Sequence, residues 1–168
     1  MNSEKRPVLN FSLTWKEKPL ILISTIPIIF ILVYLKMIWS HIPEIIPTHF
    51  GFSGTPDAFG NKNSLFILVI IAVSLHLLLA VLSKFPQYYN YPFSITEKNA
   101  EPLYKIGRQL MLLIDLEISF LFSILTWQNV QAALGKIEGI NSVILFLFIG
   151  AIFLTLIVEI VKMNKVNN

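Results

Sequence analysis

Four long apolar runs dominate the chain, at residues 20–39, 64–83, 109–128 and 142–161. A helix needs about 20 residues to cross a hydrocarbon core of roughly 30 Å, and each run has that length. The pattern therefore predicts an all-α membrane protein with four transmembrane helices. A water-soluble helical bundle is the weaker alternative, because 55% of the residues are hydrophobic and only 14% are charged.

The first apolar run is interpreted as a retained span rather than a cleaved signal peptide. Signal peptides have an apolar region of about 7 to 15 residues, followed by a cleavage site of small residues. Here the run is longer, and residues 36–41 that follow it read Lys-Met-Ile-Trp-Ser-His. No cleavage site of that kind is visible in them.

Lysine and arginine are distributed unevenly between the connections. Cytoplasmic loops of membrane proteins carry an excess of both residues. The first and third connections contain only Lys62 and Lys136, with Lys36 near the end of the first run. The other ten occupy the N-terminal segment, the middle connection and the tail: Lys5, Arg6, Lys16, Lys18, Lys84, Lys98, Lys105, Arg108, Lys162 and Lys165. This predicts a multi-pass protein of the cell membrane with both termini cytoplasmic, and the net charge of +3 requires no nucleic-acid partner.

The first connection, residues 42–62, is predicted to be an ordered loop outside the cell. It holds six of the sixteen Pro and Gly residues, together with Phe50, Phe52 and Phe59. A flexible tether would be rich in Ser, Gly and charge without aromatic rings. Because each exposed Phe forgoes roughly 2 kcal/mol of burial, the three rings are expected to pack on the helix ends or the membrane interface.

Within this loop the local signals favour a short helical turn. Thr55 fits a helix cap, Pro56 the first position of a turn, and Gly60 a left-handed end. Asp57 would lie at the positive end of that turn. Lys62, five residues further along, is the expected partner of Asp57.

His49 has two interpretations. Its imidazole either satisfies backbone groups of the loop or recognises a ligand or proton. His41, Glu44, His49 and Asp57 lie within seventeen residues, yet their spacing matches neither a helix-borne His-Glu-x-x-His motif nor a paired-ligand zinc site. The absence of cysteine also removes thiolate ligands. We therefore expect no metal and no cofactor.

A few polar residues interrupt the apolar runs. His76 and Asp115 lie about 4 Å and about 5 Å from the centres of adjacent antiparallel spans, on the same side. Asp115, Ser119 and Ser123 recur every four residues and form one stripe, whereas Glu117 points away from it. A hydrogen-bonded His76–Asp115 contact is expected. It is either a clasp between helices two and three or a proton-sensitive or substrate-facing site.

The middle connection, residues 84–108, is more than a plain linker. Residues 87–91 supply three interfacial tyrosines, and Thr96 fits the cap of a helix that leads into the third span. The segment either anchors the helices at the interface or forms a cytoplasmic docking surface. The residues themselves do not choose between these two roles.

Two blocks of the sequence resemble a known family. The first block, at residues 42–62, comprises Pro47, His49, Phe50, Gly54, Pro56, Asp57, Gly60 and Lys62. It is similar to the signature of a bacterial membrane family of unknown function that also forms the N-terminal part of SdpI-type toxin-immunity proteins. A second block resembles one found in short members of that family: Asn90, Pro92, Thr96, Asn99, Tyr104 and Arg108. The resemblance covers residues 1–110 and leaves residues 111–168 as two further spans and a short tail.

The resemblance implies a membrane protein that protects against a secreted peptide toxin and takes part in signalling through sequestration of a repressor. No phosphate-binding Gly loop, helix-borne zinc motif or nucleophile elbow is present in the sequence. The main hypothesis is a non-enzymatic immunity, envelope-stress or signalling protein. Its expected partners are the bilayer and a peptide toxin or cytoplasmic regulator, with homo-oligomerisation open. The alternative is a small transporter or proton-linked carrier that uses His76 and Asp115.

Overall fold

The computed structural model describes residues 6–9, 12–15 and 17–167. Within these ranges the chain forms four long helices, α1 (Glu17–Ile38), α2 (Leu65–Leu82), α3 (Ala100–Ala133) and α4 (Ser142–Asn167). Two strands, β1 (Ile45–Phe50) and β2 (Pro56–Asn61), lie between α1 and α2. Short 3-10 turns occupy Trp39–His41, Lys62–Ser64 and Pro86–Tyr88. All four helices are long and apolar enough to cross a membrane, which confirms the predicted fold class at that level.

Helix α3 is the centre of the molecule, because each of the other three helices packs against it. Its 34 residues span about 50 Å, so it extends beyond a hydrocarbon core at both ends. The predicted helix that leads into the third span is present, whereas its continuation beyond residue 128 to Ala133 is not part of the prediction. Hydropathy detects only the apolar middle of such a helix, whereas polar residues such as Arg108 and Gln131 continue it while remaining buried. The helix runs unbroken through residue 110, and the division of the chain there stays a prediction.

Local hydrogen bonds define where α1 and α4 begin. The Thr14 hydroxyl accepts a hydrogen bond from the Glu17 amide at 3.3 Å, and the Glu17 carboxylate accepts one from the Thr14 amide at 2.6 Å. This reciprocal pair is a capping box. At α4, the Asn141 side-chain oxygen accepts from the Val143 amide at 3.0 Å. Both caps satisfy amides that the first turn of a helix leaves without intrahelical partners.

The two ends of the helical bundle differ. One end, called here the hairpin end, carries β1 and β2 together with the α3–α4 connection. The opposite end, the terminal end, collects the N-terminal segment, the α2–α3 connection and the end of α4. Arg6 donates to the Tyr89 carbonyl at 2.6 Å, and the Asn99 amide donates to the Asn167 side chain at 3.0 Å. The segments that carry most of the Lys and Arg residues therefore lie together.

The first connection forms a β-hairpin rather than the predicted helical turn. Strands β1 and β2 pair antiparallel, with Ile46 opposite Gly60 and Phe50 opposite Pro56. The positive φ angle occurs at Gly54, where it is 85°, and not at Gly60. The Thr-Pro-Asp signal for a helix start is local, whereas pairing with a segment about ten residues upstream satisfies more backbone groups. Pro56 is tolerated because it begins a strand at the edge of a sheet.

The three Phe rings do not together form the core under the hairpin, and their predicted placement at the membrane interface stays a prediction. Phe52 and Phe59 are 86% and 64% exposed, and the ring of Phe52 contacts only Phe146, at 5.3 Å between centroids, among the aromatic rings described. Phe50 is partly buried. The hairpin is anchored instead by Ile46, which is fully buried. Its core neighbours are Leu35, Ile42, Leu65, Val69 and Val130.

Candidate functional site

The polar residues predicted inside the membrane form a cluster between α2 and α3. His76 Nδ1 lies 3.0 Å from Asp115 Oδ1 and 3.1 Å from Oδ2, so the predicted contact is present. Asp115 is fully buried, and the His76 side chain is 12% exposed. A carboxylate without a partner would be costly at this depth, and the imidazole supplies the partner.

Helix α1 completes this cluster with two hydroxyl groups. The Ser24 hydroxyl donates to Asp115 Oδ2 at 2.9 Å, and Thr25 Oγ1 lies 3.2 Å from His76 Nε2. Neither residue belongs to the predicted site. Ser24 and Thr25 lie in the first apolar run at a depth that matches His76 and Asp115, and this was the signal in the sequence. The direction in which the two side chains point depends on how α1 is rotated. The cluster therefore joins three helices, whereas two were predicted.

Thr25 also joins the cluster to its own helix. Its Oγ1 donates to the Ile21 carbonyl at 2.7 Å, and its lone pairs are left for His76 Nε2 at 3.2 Å. The hydroxyl therefore bridges the imidazole and the backbone of α1.

The remaining polar residues of the predicted stripe have different surroundings. Ser119 Oγ reaches Asp115 Oδ1 at 3.4 Å, a long hydrogen bond, whereas the buried Ser123 hydroxyl has no hydrogen-bond partner among the described residues. Glu117 points away from the cluster, as predicted. It accepts a hydrogen bond from the Thr155 hydroxyl at 2.6 Å and so links α3 to α4.

At the terminal end, Arg108 forms a buried ion pair with α1. Its Nε lies 3.3 Å from Glu17 Oε1, and the two side chains are only 4% and 7% exposed. Tyr104 is fully buried and donates from its hydroxyl to the Pro7 carbonyl at 3.0 Å. These two residues of the predicted second block therefore tie the N-terminal segment and α1 to α3.

The other residues of this block shape the α2–α3 connection. Asn99 occupies the cap position of α3, and its side-chain oxygen accepts from the Thr96 amide at 2.7 Å. The predicted Thr96 side-chain cap is thus replaced by the Thr96 carbonyl, which accepts from the Ala100 amide at 2.9 Å. Asn90 and Pro92 line a cleft of about 480 Å³ against α3 and α4.

Two tyrosines of the connection are held in their neutral form. Burial raises the pKa of the Tyr89 phenol, and burial likewise raises the pKa of the Tyr91 phenol, with Arg108 opposing the shift in both cases. The Tyr89 hydroxyl donates to the Leu82 carbonyl at 2.8 Å. Neutral phenols can donate hydrogen bonds of this kind to the end of a helix.

At the hairpin end, the register of the strands brings His49 and Asp57 together. The pairing shifts at Thr48 in β1 and again at Asp57 in β2, and such bulges re-aim side chains. His49 Nδ1 lies 2.5 Å from Asp57 Oδ1, and both side chains are more than half exposed. The pair therefore faces the surroundings from a rigid support.

The predicted Asp57–Lys62 pair is wrong. Lys62 Nζ lies 2.9 Å from Glu44 Oε1 and donates to the Ile42 carbonyl at 3.3 Å. Its ammonium also lies 5.2 Å from the centre of the Trp39 ring. Asp57 is turned away from it towards His49. The four potential metal ligands of the segment therefore do not converge. His49 pairs with Asp57, Glu44 pairs with Lys62, and His41 contacts Ser40.

Gly54 connects the hairpin to the start of α4. Its carbonyl accepts from the Ile140 amide at 2.9 Å. A Cβ atom at Gly54 would lie 2.0 Å from the Ile140 oxygen, and the φ angle of +85° disfavours any side chain. The other two motif residues have packing roles, since Pro47 is buried and Gly60 leaves room for the Thr48 methyl group.

Sequence reasoning missed a group of buried amides near the end of α3. The Gln131 amide donates to the Tyr34 hydroxyl at 2.6 Å, and the Gln128 oxygen accepts from the Asn141 amide at 2.6 Å. Asn129 lies between them and is 7% exposed. Three amides within four residues, just after the apolar run 109–128 ends, were the signal for this cluster.

Comparisons with known proteins give a partial match. Residues 26–73 match the family model described as "Domain of unknown function (DUF1648)". A relative described as "Uncharacterized protein", from Archaeoglobus fulgidus, is 34% identical over 88 residues. The alignment covers 48% of this chain and 48% of that protein, so the chain spans about half the length of the relative it matches. No solved structure matches the chain. These similarities fit a membrane protein family of unknown function, and residues 26–73 contain the whole hairpin but neither His76 nor Asp115.

Proposed function

We propose that the protein is a non-enzymatic immunity or signalling protein of the cell membrane, similar in role to SdpI-type proteins. The hairpin receives a molecule from outside the cell, such as a secreted peptide toxin. The observation that carries this proposal is the docking of the hairpin, because Ile46 is fully buried between the helix ends. A segment held in this way presents a constant surface to a partner, which a tether does not.

Two further features support the hairpin as the recognition element. It lies wholly within residues 26–73, the part of the chain that matches the family model. It also exposes the His49–Asp57 pair at a fixed position, where both side chains can exchange hydrogen bonds with a partner. A cytoplasmic regulator would contact the terminal end, and the proposal includes no nucleic acid and no cofactor.

The proposal is tested by protection of living cells. The chain is expressed in a bacterium that is killed by membrane-active peptide toxins, and survival is measured across a panel of them. We expect the wild type to protect against at least one toxin and His49→Gln to lose most of that protection. Glu101→Gln is the matched control, because Glu101 forms an equally exposed pair with Lys105, also at 2.5 Å, at the terminal end. Equal protection by wild type and His49→Gln would contradict the role of the hairpin.

A second candidate function is proton-linked transport, favoured by the His76–Asp115 cluster. This pair is buried at a depth where ionisable residues mark proton or substrate paths. Reconstituted vesicles with an internal pH indicator test it directly. A carrier should lose proton movement in Asp115→Asn and retain it in Glu117→Gln, since Glu117 bonds Thr155 outside the cluster. Identical fluxes in vesicles with and without wild-type protein would exclude this function.

A further inference from the structure

We propose that a cleft beneath the hairpin binds a neutral amide group attached to an aliphatic chain. The cleft has a volume of about 330 Å³ and lies between β1, the start of α2, the end of α3 and Ile140. Its size falls at the lower end of the roughly 300–1,000 Å³ typical of small-molecule sites. This inference goes beyond the proposed immunity role, because it concerns the binding chemistry of the purified protein.

A buried polar atom points to a ligand in this cleft. The side-chain oxygen of Asn129 is buried and has no hydrogen-bond partner among the described residues, and Asn129 lines the cleft. Buried polar atoms in native proteins nearly always have a partner, so an exception calls for an explanation. The neighbouring amides Gln128 and Gln131 each make one hydrogen bond within the protein, and Gln128 Nε2 is likewise buried without a described partner. A ligand that donates an N–H to Asn129 would give its oxygen, which lines the cleft, the partner that it lacks.

The rest of the lining indicates a ligand that is largely apolar. Aliphatic groups form one wall, from Ile67, Leu68 and Leu125. Polar groups come from the hydroxyls of Thr48 and Ser64 and the imidazole of His49. An aliphatic wall with a few polar groups is the usual composition of a site for an amphiphilic molecule. The ligand should therefore carry a short hydrocarbon portion next to its hydrogen-bond donor.

The charges around the cleft favour a neutral ligand over an anion. None of the described residues that line it is a lysine or an arginine. Lys62 nearby is engaged by Glu44 and the Ile42 carbonyl, and His49 is paired with Asp57. A phosphate or carboxylate would thus find no free cation among these groups. An amide N–H needs only an acceptor, which Asn129 supplies.

Two sources share this chemistry, namely a hydrophobic peptide and a lipid-like fatty amide. The test uses a diazirine-bearing octanamide for the lipid-like source and a diazirine-bearing N-acetyl-dileucine amide for the peptide source. Each probe is photo-crosslinked to the full-length protein in nanodiscs, and the labelled residues are mapped by mass spectrometry. We expect labelling around residues 64–68 and 125–129, competed by octanamide but not by methyl octanoate, which lacks a donor.

Variants of the cleft make the test specific. Asn129→Leu removes the acceptor while keeping the number and branching of the side-chain heavy atoms, and it should reduce labelling about tenfold, the effect of losing one hydrogen bond to a buried group. Ser123→Ala is the matched control, because it removes from the same helix another buried polar group without a described partner. Ser123 lines a different cleft, together with Pro27. This variant should leave labelling unchanged.

Thermal unfolding separates a ligand-binding role of Asn129 from a structural one. Asn129→Leu should unfold at the same temperature as wild type or higher, because no hydrogen bond of the Asn129 oxygen is lost. Should that variant fail to fold, Leu68→Trp fills the cleft from α2 and should abolish labelling by itself. Labelling of either probe that survives both variants, or that maps elsewhere in wild type, would overturn the proposal. Binding without protection of cells would refute the immunity role alone, and protection without binding would refute this site alone.

Discussion

At the scale of single residues, Asp115 shows how a buried charge is accommodated. It receives hydrogen bonds from Ser24 and Ser119 and contacts His76, so its two oxygens have partners from three helices. Side-chain hydrogen bonds of this kind between membrane helices contribute about 0.6 to 2 kcal/mol each. The cluster therefore stabilises the packing of three helices against one another.

The coupling of His76 and Asp115 is open to a double-mutant cycle. We expect His76→Leu and Asp115→Asn each to destabilise the protein by about 1–2 kcal/mol, and the double variant to lose less than the sum by about 0.6 to 1.7 kcal/mol. Thermal unfolding in detergent measures this. His76→Leu combined with Glu117→Gln is the control and should be additive, because Glu117 bonds Thr155. Additive losses for the first pair would show that the two residues act independently.

Tyr91 predicts how stability responds to alkaline pH. Burial raises the pKa of its phenol above the usual value of about 10, so the folded protein keeps a proton that the unfolded chain loses. The contribution of Tyr91 to the stability of the folded state is complete at pH values below the pKa of the phenol in the unfolded chain and is lost as the pH rises above that pKa. The unfolding temperature of Tyr91→Phe should therefore fall less than that of wild type between about pH 8 and about pH 11. Tyr88→Phe, at an exposed ring, should follow wild type, and an identical decline in Tyr91→Phe would contradict the assignment.

At the scale of elements, the hairpin depends on its turn as much as on its strands. Gly54 supplies the positive φ angle and the carbonyl that bonds Ile140, so one residue both reverses the chain and attaches it to the start of α4. Ile46 holds the other side of the hairpin in the core. The hairpin is thereby fixed at two points on different helices.

Substitution of Gly54 should detach the hairpin from α4. We expect Gly54→Ala to cost roughly 1–3 kcal/mol, because the new Cβ is both in a strained conformation and too close to the Ile140 carbonyl. Gly150→Ala is the control. It lies inside α4 with nothing within 4 Å of its Cβ position and should stabilise the helix by up to about 1 kcal/mol. Thermal unfolding and limited proteolysis near residue 53 measure both effects. Equal stability of Gly54→Ala and wild type would refute this role.

At the scale of the whole molecule, α3 organises three helices around one axis and leaves much of their surface to lipid. Residues on α4 illustrate this, since Leu147, Phe153 and Ile157 are each about 60% exposed or more. Such surface suits a bilayer and would be a liability in water. The described part of the N-terminal segment and the end of α4 both contact the α2–α3 connection at the terminal end.

The orientation of the molecule is open to a labelling test. The chain has no cysteine, so single cysteines can be introduced without background. We expect Ser53→Cys, in the hairpin turn, to react with a membrane-impermeant maleimide in intact cells. Glu97→Cys, at the terminal end, should react only after permeabilisation, because Lys and Arg concentrate there. Both positions are exposed, so access alone does not bias the comparison. The reverse labelling pattern would invert the proposed topology.

The sequence alone was enough to predict four apolar helices in the described chain and to identify the segments that carry most of the Lys and Arg residues. These are properties of runs of about 20 residues, and hydropathy reads them without knowledge of packing. It also determined the His76–Asp115 contact. Consecutive spans are antiparallel neighbours, so the distance of each residue from the centre of its span is enough to match their depths.

The residues that complete each site follow from how the helices and the hairpin pack together. The contributions of Ser24 and Thr25 depend on the rotation of α1 about its axis, and that of Asn129 depends on what covers the end of α3. Residues 55–60 form part of the hairpin and not a helical turn. The contacts that stabilise the hairpin come from β1 and Ile140, which lie outside the segment whose local signals favoured the turn. Short-range preferences are worth about 1 kcal/mol or less per residue, and burial with backbone pairing between distant segments exceeds them.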